Sequence, residues 1–108
     1  EIQELETQKE DLKALVELRD QILKLSVNHE FRKVIHEEFF QKEAGRLVRI
    51  GGDPSLDKQQ RQDAIDMALA TGHLQRFLSA NVQMGNRAEQ TIFEIDAVLE
   101  ELRAEGAE

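Results

Sequence analysis

The chain contains no cysteine, tryptophan or tyrosine, and only one proline. Without cysteine there is no disulfide scaffold, no thiol nucleophile and no thiolate metal site. Serine stands only at Ser26, Ser55 and Ser79, and none sits in a glycine-flanked elbow of the kind that activates a nucleophile. No apolar run approaches the ~20 residues that a spanning helix needs, and no signal-peptide pattern is visible. The expectation is therefore a soluble protein, intracellular or particle-bound, without a membrane partner. Basic residues are outnumbered, 14 against 22 acids, for a formal charge of −8. That is the wrong sign for a general nucleic-acid binder, so no direct nucleic-acid contact is expected.

The 108 residues suffice for one small domain, expected over 1–108. Gln, Glu, Lys, Arg, Leu and Ala dominate, β-branched residues are sparse and alternation is never sustained, which predicts an all-α fold. Charge is uneven along it. Residues 1–20 carry seven acids and three bases, 21–86 carry eight and nine, and 87–108 carry seven and two. Both ends are acidic and the middle is balanced.

Three helices are predicted, at about 2–26, 29–50 and 55–104. In the first, Ile2, Leu5, Leu12, Val16 and Leu23 follow an imperfect heptad in which Lys9 and Arg19 occupy the remaining seam positions. A second stripe, Leu15, Leu18, Ile22 and Leu25, broadens its apolar face. Asn28 is a good N-cap for the next helix, whose apolar residues Phe31, Val34, Ile35 and Phe39, then Phe40, Ala44, Leu47 and Val48, point to the centre of the core. Gly45 within it suggests a close backbone approach or a bend. Gly51 and Gly52 end it, and either could take the left-handed conformation. Asp53 before Pro54 is a plausible N-cap, with Asp57 as a later alternative start.

The strongest pattern lies in the last helix. Ala64, Met67, Thr71, Leu74, Leu78, Asn81, Gly85, Ala88, Ile92, Ile95, Leu99 and Leu102 recur at alternating steps of three and four. Unbroken, this makes a long coiled-coil-like helix, with a three-helix body. A break at Gly85-Asn86, where Asn86 and Glu89 could form a capping box, would make an up-and-down four-helix bundle. The unbroken form is preferred, because a fold-back has no reason to preserve heptad phase across its corner. In the last twenty residues the apolar stripe Ile92, Ile95, Leu99 and Leu102 needs a partner, either the first helix of the same chain or a neighbouring subunit. Thr71, Asn81 and Gly85 within the long seam mark close backbone approach or, in a self-associating coil, a register-fixing polar position.

Chemistry is hard to find. His29-Glu30 and His36-Glu37 begin like a zinc-protease helix, but Lys33 and Phe40 stand where the second histidine belongs. Ser26, Lys33 and Ala70 stand where a di-iron helix needs glutamate. Acidic pairs such as Glu37-Glu38 and Glu100-Glu101 diverge by ~100° on a helix. Surface or cap histidines, no metal, no cofactor and no enzymatic activity are expected. Lys42, Arg46 and Arg49, with Lys58 and Arg61 beyond the loop, form a basic cluster. It either complements a helix dipole beside Asp53 and Asp57, or contacts an acidic segment of another copy.

The segment Phe39-Phe40-Gln41-Lys42-Glu43-Ala44-Gly45-Arg46-Leu47-Val48, followed by Gly52-Asp53-Pro54 and Gln59-Gln60, resembles small helical proteins of tailed bacteriophages. The resemblance implies an accessory or virion component, and no functional residue comes with it. A structural or assembly protein, self-associating or docked on another virion protein, is the leading expectation. An acidic module that inhibits a host factor by imitating nucleic acid is the rival.

Overall fold

The computed structural model describes residues 1–106, so Ala107 and Glu108 of the expected 1–108 domain lie outside the described residues. Among the described residues the fold is all-α. Helix α1 covers Ile2–Ser26. Helix α2 is a continuous run over 29–51, in which an α-helical start at His29–Phe31 passes into a π-helical stretch at Arg32–Glu43 and returns to α-helix at Ala44–Gly51. Helix α3 covers Lys58–Gly106 without a break at Gly85-Asn86. At 1.5 Å per residue it is about 73 Å long. The chain forms two compact units, one of Glu1–Leu23 with the segment from Ala80 onward, the other of Lys24–Ser79.

The local signals at the helix ends act through side chains. Asn28 has extended backbone, and its Oδ1 accepts the Phe31 N–H at 2.8 Å. Asn28→Ala is expected to cost about 1 kcal/mol, read as a lower urea midpoint. Helix α3 begins at the later of the two expected starts. Asp57 Oδ1 accepts the Gln60 N–H at 2.8 Å while Gln60 Oε1 accepts the Asp57 N–H at 3.4 Å, a reciprocal capping box. Asp53 instead shapes the loop, accepting from the Ser55 N–H and hydroxyl at 2.9 and 2.7 Å. Neither Gly51 nor Gly52 takes the left-handed conformation that was open to either. The carbonyl of Gly51 is satisfied by Arg61 Nε at 3.1 Å, and its missing side chain makes room for Ile65.

Helix α2 departs most from expectation. Ala44 N–H bonds to the carbonyl of Phe39, five residues back. The widened turn aligns residues that an α-helix would separate. Phe31, His36 and Phe40 form an edge-to-face ladder with centroids 5.7 and 5.4 Å apart. Lys33, Glu38 and Lys42 form an ionic ladder at 3.2 and 2.9 Å. Both ladders step by five and then four residues. This face is not the centre of the core: no residue of 29–43 is fully buried, Val34 and Val48 are exposed, and Leu47 is the one buried apolar residue of α2. Gly45 meets only the Arg49 guanidinium, at 3.5 Å from an added methyl, so no backbone approaches it.

The hydrogen bonds and charges of Lys42 and Lys33 hold Glu38 below the ordinary carboxylate range, and Arg46 does the same for Glu43. The backbone N–H of Ser55, then its hydroxyl, lowers Asp53. A carboxylate whose folded pKa is depressed contributes stability that is complete above its unfolded value and is lost as pH falls through the folded one. Helical far-UV circular dichroism from this unit is therefore expected to fall as pH drops below about 4, with Glu38→Gln removing part of that dependence.

Candidate interaction surfaces

The first unit pairs the two acidic ends of the chain. Lys9 meets Asp96 at 2.5 Å, Arg19 meets Glu89 at 2.6 Å and Arg103 meets Glu6 at 3.5 Å. As the α1 number rises its α3 partner's number falls, so the two segments run antiparallel. Over these segments the sequence carries fourteen acids and five bases, a charge of −9. The three cross-helix ion pairs oppose the resulting repulsion.

The expected seam is buried from Gly85 through Leu99 and faces α1 of the same chain. Gly85, Ala88, Ile95 and Leu99 are fully buried, Ile92 and Leu102 half-buried. Leu74, Leu78 and Asn81 are half-buried, whereas Met67 is exposed. Of the two partners considered for the C-terminal stripe, the structure supplies the first helix.

Toward the Leu23 and Ala80 end of this pairing lies Arg19, only 9% exposed. Its stem crosses α3 at Gly85, where a methyl would fall on Arg19 Cβ and stand 2.9 Å from Cγ. Its Nη1 donates to Asn86 Oδ1 at 3.0 Å and to Glu89 Oε1 at 2.6 Å, and its Nε donates to Asp20 Oδ1 at 3.0 Å. Those bonds, Glu89's foremost, raise the guanidinium pKa. The residues that could have capped a break therefore receive an arginine, and the glycine that could have made a corner admits its stem. A buried polar contact of this kind fixes register, because sliding by one turn leaves the arginine unpaired.

The basic cluster is largely neutralised within the second unit. Lys42 pairs with Glu38, and Arg46 grips Glu43 with two bonds of 2.8 and 2.6 Å. Arg61 serves the Gly51 carbonyl. Arg49 and Lys58 remain without an ion pair among the described residues. Glu38 and Glu43 do most of the neutralising, and Arg61 acts through its charge on Asp53.

His36 stands in the aromatic ladder, His29 lies beside Glu30 at 3.3 Å, and His73 is exposed. Among the described residues no group of three His, Cys, Asp or Glu could hold a metal ion, and no helix is long and apolar enough to cross a membrane. The surface hollows are shallow. One of about 210 Å³ in the first unit is lined by Leu12, Leu15, Met84, Arg87, Ala88 and Thr91. Sequence reading missed it, because Met84 lies beside the heptad seam rather than in it. Comparison with protein-family models, curated proteins and solved structures gave no match.

Proposed function

We propose that this chain is a non-enzymatic structural or assembly protein of a phage particle, acting by helix-mediated self-association or by docking on another virion protein. The observation that carries this reading is the placement of apolar side chains. Among the described residues eleven large hydrophobic side chains are exposed, Val27 at 76% and Phe93 at 74% among them, against four buried ones, Ile22, Leu47, Ile95 and Leu99. A chain of this size gains by covering such residues, at about 25 cal/mol per Å² of apolar surface removed from water. The phage setting rests on the resemblance carried by residues 39–48, 52–54 and 59–60.

Analytical ultracentrifugation over a wide concentration range tests the reading. The expected result is a mass that rises with concentration, and a sharp monomer throughout would count against self-association. The second reading, an acidic module that inhibits a host factor, draws support from the −9 charge gathered in the first unit. Capture from host lysate at low and high salt separates them, since imitation of phosphates dissolves with salt and apolar packing persists.

A further inference from the structure

We propose that a polar hollow on the π-helical stretch of α2 binds hydrogen phosphate, the free ion that still carries a proton. The hollow is about 410 Å³ in volume and is lined by Ser26, at the end of α1, and by Arg32, His36, Glu37 and Gln41 of α2, all within the second unit. The widened winding builds it. At 3.6 residues per turn, the nine residues from Arg32 to Gln41 make about two and a half turns, which would set the two side chains on opposite sides of an α-helix. The wider turns of 32–43 bring them to one hollow instead, and π turns are frequent at functional sites.

The lining suits an oxyanion. Arg32 forms no ion pair among the described residues, whereas Lys33, Lys42 and Arg46 on the same helix each hold a glutamate. Its guanidinium is a planar fork of donors that matches two oxygens of one oxyanion. His36 is held edge-on by the rings of Phe31 and Phe40, and a neutral imidazole has one N–H to donate, as the Gln41 amide has two. Glu37 narrows the choice. It too stands outside every ion pair among the described residues, and an ionised carboxylate only accepts. Against sulfate, whose oxygens carry no proton, it repels. Hydrogen phosphate keeps a hydroxyl at neutral pH and donates it to Glu37, while its other oxygens accept from Arg32, His36 and Gln41. A phosphate monoester, with a second pKa of about 6, has mostly lost that proton and falls with sulfate. The free ion is the occupant that satisfies the donors and the acceptor together.

Amide NMR of the full chain tests this, with sodium phosphate and sodium sulfate titrated at matched ionic strength. Phosphate is expected to move the signals of Ser26 and of residues 32–41 to saturation, and sulfate to bind at least about tenfold more weakly. Arg32→Gln should weaken phosphate about tenfold or more, while Arg49→Gln, at an exposed arginine outside this hollow, should leave it unchanged. Glu37→Gln replaces the carboxylate with an amide that also donates, and should bring the two ions to within about threefold of each other in affinity. Arg32 and Glu37 are exposed, and unchanged helical circular dichroism checks the fold of each variant. The comparison of the two ions on the parent chain needs no variant. A parent response that never saturates, that is equal for the two ions, or that Arg32→Gln and Arg49→Gln reduce alike would overturn the site and leave the assembly reading untouched.

Discussion

Gly85→Ala is expected to lower the stability of the α1–α3 pairing by about 1–2 kcal/mol, although alanine is the better helix former. The gain in helix propensity is about 1 kcal/mol. Against it stands the added methyl, which would fall on Arg19 Cβ and lie 2.9 and 3.0 Å from Cγ and Cδ. Cβ is fixed to the backbone and has no rotamer that removes it, so the helices must part or the arginine must leave its site. Overpacking of that kind costs about 1–3 kcal/mol, and displacement of Arg19 also weakens its bonds to Asn86 and Glu89. No glycine here has a positive φ, so the loss would come from packing and not from backbone strain. Gly72→Ala, in the same helix, is the control. Nothing stands within 4 Å of a methyl added there, so the variant should be neutral or stabilised by up to about 1 kcal/mol. Urea denaturation of the two variants beside the parent chain decides the matter. A Gly85→Ala protein as stable as the parent would show that the helices are not held this close.

Much of this arrangement is written in spacing. The unbroken phase from Ala64 to Leu102 specifies the face of α3 that becomes buried, and the two charged residues in the α1 seam, Lys9 and Arg19, mark where cross-helix partners must stand. What spacing does not state is which helix supplies those partners. The triplet Gly85, Asn86 and Glu89 suits a helix boundary as well as it suits a notch for an arginine, because both need a small residue followed by oxygen acceptors. Only the opposing Arg19 distinguishes them. The π-helical stretch escaped for a different reason: a periodicity of 3.6 assigns Phe31, Val34, Ile35 and Phe39 to one face, whereas wider turns redistribute them. The repeated five-and-four steps of Phe31, His36, Phe40 and of Lys33, Glu38, Lys42 are the signal that could have revealed it. The hollow of the first unit depends on two helices that are distant in sequence, and the pairing of the basic cluster depends on which neighbours Glu38 and Glu43 choose. Neither follows from the residues of one helix alone.

Leu99→Ala is expected to be the most damaging single truncation, at about 3 kcal/mol. Leu99 is the largest fully buried side chain, 2% exposed, and the other buried apolar residues of its unit are Ile22, Ala88 and Ile95. A core with so few members has little surrounding mass to collapse into the space a leucine leaves, so the transfer and cavity terms both apply. Natural domains are stable by only about 5–15 kcal/mol, and a loss of this size removes a large share. The damage should concentrate where Leu99 packs. Amide hydrogen exchange is expected to accelerate in residues 1–23 and 80–106, the unit that also contains the repelling acidic ends. Phe93→Ala sets the scale, because that larger side chain is exposed and its removal should change stability by no more than about 0.5 kcal/mol. If truncating Phe93 proved as costly as truncating Leu99, the face of α3 turned toward α1 would be misassigned. If both proved harmless, the antiparallel pairing would not be what holds the two ends of the chain together.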